Sequence, residues 1–289
     1  MIAITGATGQ LGRLVIASLQ RLAPDTRILA AVRSPEKAQD LKSATVEIRQ
    51  ADYDRPETLA SAFNGVDKLL LISSNDLVTR LGQHKAVVDA AVKAGVKLIA
   101  YTSILHTDTS ALILTEEHRA TEAYIKASGV PYAFLRNGWY TENETAALAA
   151  VLAHNAFIGS SGDGRISWAA RTDYAEAAAR VLLSNDAADR IYELAGDQGL
   201  TMSELAAETA RLAGKPIAYA NLPQADYAGA LLGAGLPAPL ATMLADSSAK
   251  AADGGLYDDS RTLSRLIGRP TTPIRETLAA ALKSLAIIA

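Results

Sequence analysis

The chain has 289 residues, with 28 Lys and Arg against 31 Asp and Glu, and a formal charge of −3. It contains no Cys, which excludes disulfides, thiolate nucleophiles and cysteine-ligated metal centres. The near-balanced charge offers no basic field to a nucleic acid, and the four His are not spaced as a helical metal pair.

Short apolar runs at 2–5, 28–32, 46–49, 68–72, 97–102 and 132–135 alternate with longer stretches such as 11–22 and 82–94. The longer stretches carry apolar residues at helical spacing. This alternation predicts an α/β chain with a doubly wound parallel sheet, because a parallel neighbour is reached through a crossover helix. Gly95 stands where a C-cap glycine would stop the helix at 82–94. Beyond Gly138 the alternation stops. Residues 139–154 read as one helix, and Gly159, Gly162 and Gly164 mark a loop. Further helices are expected at 173–184 and 201–213, the second opened by a Thr201/Glu204 capping box. Pro223, Pro237, Pro239 and Gly254-Gly255 break up the next stretch, and a last helix opens near Thr272-Pro273. No internal repeat is evident. The opening Met1-Ile2 lacks a basic leader and no run of 18 apolar residues occurs, so a cytoplasmic chain without a membrane span is expected.

The most informative motif is Thr5-Gly6-Ala7-Thr8-Gly9-Gln10-Leu11-Gly12, between the first strand and the first helix. Glycines at 6, 9 and 12 suit a tight turn, close approach of backbone to a pyrophosphate, and close packing of helix on strand. The helix N-terminus then offers unpaired N–H groups and partial positive charge to a dinucleotide. A free ribose 2′-OH calls for Asp or Glu at the end of the second strand. The sequence has Val32-Arg33-Ser34 there, with Lys37 nearby. A guanidinium fork matches phosphate oxygens, so the 2′-phosphate of NADPH/NADP is expected, with NADH weaker. Ligands of open α/β sheets lie beyond the carboxyl ends of the strands. That edge adds Asp52 and Tyr53, Ser73, Ser74 and Asn75, Thr102 and Ser103, and Asn137, Gly138, Trp139 and Tyr140. Each taken singly also suits ordinary turn or packing chemistry.

The glycine segment, the Val32-Arg33 strand end and Leu135-Arg136-Asn137-Gly138-Trp139-Tyr140 resemble the NmrA-like branch of the atypical short-chain dehydrogenase/reductases. Within that branch they are similar to the bacterial NAD(P)H:quinone and triphenylmethane reductases. Further blocks extend the resemblance along the chain: Gln50-Ala51-Asp52-Tyr53, Leu69-Leu70-Leu71-Ile72-Ser73-Ser74, Ile99-Ala100-Tyr101-Thr102-Ser103, Tyr192-Glu193-Leu194-Ala195-Gly196 and Leu266-Ile267-Gly268-Arg269-Pro270-Thr271-Thr272. The resemblance implies a Rossmann-like domain over 1–138, to which some later segments return, and a smaller, mainly helical, substrate-covering part over 139–289. It also implies bound NADPH and reduction of quinones or cationic dyes without flavin or metal.

One departure is chemical. Ordinary short-chain dehydrogenases pair a Tyr with a Lys four residues on, whereas here Tyr101, Tyr124, Tyr132 and Tyr140 are followed by Leu105, Ser128, Arg136 and Glu144. Alcohol dehydrogenation and nucleotide-sugar epimerisation are disfavoured accordingly. Hydride transfer to a stacked quinone remains, with the protein supplying position. Asn137 and Gly138 would hold the nicotinamide end, Trp139 and Tyr140 would wall the pocket, and His106 is a candidate proton donor. A surface-loop role for His106, and packing roles for Trp139 and Tyr140, stand beside those readings. Whether Arg171 reaches the cofactor is left open. The alternative function is a non-catalytic NADP(H)-binding redox sensor, and the helix at 82–94 could serve a homodimer face or simply the sheet.

Overall fold

Seven strands form one sheet: β1 (Ile2–Thr5), β2 (Ile28–Val32), β3 (Val46–Gln50), β4 (Lys68–Leu71), β5 (Leu98–Ile104), β6 (Tyr132–Asn137) and, after β7 (Ala156–Gly159), β8 (Arg190–Leu194). β7 pairs separately with β9 (Ala218–Asn221). This is a computed structural model that describes residues 1–288, with side chains through Leu285. Ala289, the end of the expected 139–289 part, lies outside the described residues.

The order β3-β2-β1-β4-β5-β6-β8 reverses at β1, and neighbours from β3 through β6 run parallel. It is the doubly wound arrangement that the alternating runs predict, with a crevice where the order turns. Central strands are apolar on both faces because helices cover both. On one face Ala3, Leu69, Leu71, Ile99, Tyr101 and Phe134 pack with Leu59, Phe63, Val87, Ala91 and Ile125. The helices Gln10–Leu22 and Arg171–Leu183 pack on each other, and the second also meets β4, β5 and β6.

The chain packs as two compact units. The first comprises 1–107, 116–137 and 171–192; the second comprises 108–115, 138–170 and 193–289. The second unit is mainly helical, with the small β7–β9 sheet and a core that includes Leu148, Phe157, Trp168, Leu205 and Leu278. The capping box forms as expected: Thr201 Oγ1 accepts from the Glu204 N–H, and Glu204 Oε2 accepts from the Thr201 N–H at 2.8 Å.

Two expectations are corrected. Residues 139–154 form two short helices, Thr141–Thr145 and Leu148–His154, rather than one. The break falls at Ala146-Ala147, where intrinsic propensity alone would continue the helix, and it leaves Leu148 and Val151 buried in the core of the second unit. The helix Leu114–Ala127 and the strands β7, β8 and β9 were not anticipated, since their short or mixed patterns carry little period. No helix of the described residues is long and apolar enough to cross a membrane.

Candidate nucleotide-binding site

The glycine segment turns directly out of β1 into the helix Gln10–Leu22. Gly6 has φ +58°, a left-handed conformation that only glycine adopts at little cost. A Cβ on Gly12 would lie 2.5 Å from the Gly6 carbonyl oxygen and 2.7 Å from Ala7 Cα, so the helix packs on the turn through a missing side chain. Gly9 is the N-cap, and no side chain caps the helix. Its first turn holds no acidic residue. The N-terminus therefore presents backbone N–H groups and the positive end of the dipole to an anion.

This turn forms part of a cleft of about 720 Å³ in the first unit. The cleft brings together Gly6, Thr8, Gly9, Gln10, Leu11, Gly12, Arg33, Asp52, Tyr53, Ser73, Ser74 and Asn75, which the sequence places at strand ends. Arg33 is exposed, and among the described residues its guanidinium forms no ion pair. Arg13, by contrast, is paired to Asp40 outside the cleft lining. Arg171 also lines the cleft and hydrogen-bonds the Gln10 side chain. Burial pushes the Tyr53 phenol well above its usual range, and its hydroxyl donates to the Ile72 carbonyl at 3.4 Å.

Several named residues lie elsewhere. Ala7 is fully buried beneath the turn, and Lys37 is exposed on the short helix Pro35–Leu41 away from the lining. Thr102 acts through a neighbour: its Oγ1 accepts the Ser73 N–H at 2.8 Å. Ser103 bonds Thr107 within a turn whose Thr107 carbonyl accepts two bonds from Arg119. His106 lies in that turn, half-buried, with φ +56°. Such a conformation at a non-glycine residue is held by its surroundings and concentrates at functional positions. Asn137 ends β6, buried, and its carbonyl accepts the Leu105 N–H at 3.0 Å. Gly138, Trp139 and Tyr140 begin a segment of the second unit, where Trp139 lines a separate cavity and Tyr140 bridges Ala169.

The sequence missed the polar layer that shapes the cleft loop after β4. His84 Nε2 accepts the Ser74 N–H at 3.0 Å, and Arg80 Nε donates to the Ser74 carbonyl at 2.7 Å. Burial, and then the Arg80 charge, hold His84 down to about 3, so the ring is a neutral acceptor. Behind it, the Tyr101 hydroxyl meets His118 Nδ1 at 2.7 Å and is fully buried. Tyr101 is thus a core residue. Asp54 and Gln83 also line the cleft and bond each other at 3.0 Å. A His and an Arg four apart on the helix Arg80–Lys93 carried this signal, but only the fold turns them toward Ser74.

Residues 6–185 match the model of an NAD(P)H-binding family. The chain belongs to that family. It is 54% identical to quinone oxidoreductase 2 of Escherichia coli, over 96% of this chain and 97% of the relative. The crystal structure of NADPH-dependent quinone oxidoreductase 2 from E. coli, complexed with NADPH, superposes with a TM-score of 0.94 at 53% identity, covering 98% of this chain and 100% of that one. The Citrobacter sp. triphenylmethane reductase complexed with NADP(H) superposes with a TM-score of 0.91 at 38% identity, covering 97% of this chain and 100% of that one. The resemblance read from the motif blocks is borne out, as is the NmrA-like, Rossmann-like class.

Proposed function

We propose that this chain is an NADPH-dependent quinone oxidoreductase that delivers hydride directly to its acceptor. The observation that carries the reading is the pairing of an uncapped, glycine-lined helix N-terminus with Arg33 in one cleft. The substrate class is supported by the 54% identity to quinone oxidoreductase 2. NADPH supplies the hydride when bound.

The residues of the chain divide the remaining work. Backbone N–H groups at the start of the helix Gln10–Leu22 take the pyrophosphate. Arg33 takes the 2′-phosphate and sets the preference against NADH. Asp52 and Tyr53 border the adenine end, while Ser73, Ser74 and Asn75 border the path onward. Asn137, fixed at the end of β6, orients the nicotinamide. A quinone is already a good hydride acceptor, so the absence of a Tyr/Lys pair does not block the reaction. The oxyanion formed takes its proton from solvent, with His106 the candidate side-chain donor. Neither flavin nor metal has a part in this transfer.

Following NADPH absorbance with p-benzoquinone, without added flavin, tests the reading. Consumption that depends on the protein is expected. Tight NADPH binding with no consumption would make the chain a redox sensor instead.

A further inference from the structure

Ile72, Ser73 and Ser74 follow β4, and a side chain from another element takes each of their N–H groups. Thr5 Oγ1 accepts from Ile72 at 3.0 Å, Thr102 Oγ1 from Ser73 at 2.8 Å and His84 Nε2 from Ser74 at 3.0 Å. Arg80 Nε completes the set by donating to the Ser74 carbonyl at 2.7 Å. Two residues of the helix Arg80–Lys93 thus hold Ser74 on both sides of its backbone. Their spacing of four places them on one face of that helix. Ser74 lines the cleft, whereas Arg80 and His84 stand behind it and do not.

The helix Leu114–Ala127 braces both arms. Arg80 Nη1 pairs with Glu117 Oε2 at 3.3 Å, and His84 Nδ1 meets Thr121 Oγ1 at 3.0 Å. Arg80 and His84 are both buried, yet packing alone does not call for them. Further along the same helix Val87, Val88 and Ala91 cover the sheet with apolar groups. Arg80 is moreover the first residue of the helix, where the positive end of the dipole disfavours a cation. Burying its guanidinium also costs free energy unless its bonds are made. What the pair gains is a fixed Ser74. We propose that Arg80 and His84 are positioning residues for the dinucleotide, holding the loop after β4 in its binding shape before the ligand arrives. Such preorganisation raises affinity by removing the cost of ordering the loop on binding. This role rests on the reading of the cleft as the NADPH site, and adds to that site two residues outside its lining.

The two ring nitrogens of His84 separate position from stability. Gln carries an acceptor near the place of Nε2, and Asn a donor near the place of Nδ1. His84→Gln therefore keeps the bond to Ser74, while His84→Asn keeps only the bond to Thr121. Isothermal titration with NADPH, thermal melts, and kcat and KM with p-benzoquinone are compared in wild type and both variants. Both variants should melt lower than wild type. His84→Gln should bind NADPH within about threefold of wild type, and His84→Asn about tenfold more weakly, because an unpaired Ser74 N–H lets the loop relax. In His84→Asn the KM for NADPH should rise with Kd, while kcat at saturating NADPH changes by less than about twofold. Arg80→Lys keeps a charge beside Glu117 but moves the donor off the Ser74 carbonyl. It should weaken NADPH binding in the same way, and it decides the matter if His84→Asn does not fold. Equal affinities in His84→Gln and His84→Asn, or wild-type affinity in Arg80→Lys, would overturn the positioning role while NADPH binding itself stands. Failure of wild type to bind NADPH would overturn the functional reading and the positioning role together.

Discussion

His84 accepts the backbone N–H of Ser74 through Nε2 at 3.0 Å, and so a buried imidazole holds one wall of the cleft beside the glycine turn. Its Nδ1 meets Thr121 Oγ1, also at 3.0 Å, which fixes Nδ1–H as the donor because the Thr121 hydroxyl proton is committed to the Glu117 carbonyl. The ring works only while neutral.

Stability should therefore depend on pH through His84. Its pKa falls from 6.5 in the open chain to about 3 in the fold, so acid protonates the unfolded chain first. The contribution is complete above about pH 6.5 and is lost progressively as pH falls toward 3, by several kcal/mol at most. Thermal melts of wild type and His84→Gln across that window check it. Gln can accept the Ser74 N–H but cannot titrate, so its melting temperature should fall less steeply with acid; parallel slopes would contradict the assignment.

Gly12→Ala should damage stability and nucleotide binding together. The added Cβ meets backbone at 2.5 Å, where no side chain can move aside. Relief requires the helix to shift off the turn, at a cost of about 1–3 kcal/mol. Chemical denaturation should register that loss, and NADPH titration should show weaker binding in whatever fraction stays folded. Wild-type affinity in this variant would separate the glycine segment from the cofactor.

His106→Asn preserves a residue type tolerant of φ +56° while removing the proton donor. NADPH affinity should be unchanged, and quinone turnover should fall by no more than about tenfold if solvent protonates the product. A loss of several orders of magnitude in kcat would make His106 the acid.

The sequence exposed the sheet through its apolar runs and the tight turn into the first helix through three glycines, because each is a local demand on a few consecutive residues. Arg33 was legible for the same reason: its position is defined relative to one strand end. Arg80 and His84 were not, since their role depends on which loop the helix Arg80–Lys93 faces. The segment 171–192 shows the same limit: its helix was evident, but its return to the first unit is a matter of topology.

The most direct test of the account compares kcat/KM for NADPH and NADH with p-benzoquinone in wild type and Arg33→Asp. Wild type should prefer NADPH. The variant should lose about 10- to 100-fold with NADPH, chiefly through KM, and change little with NADH, because the 2′-phosphate then faces a carboxylate. Equal losses with both cofactors, or an unchanged ratio, would remove Arg33 from 2′-phosphate recognition and contradict the account.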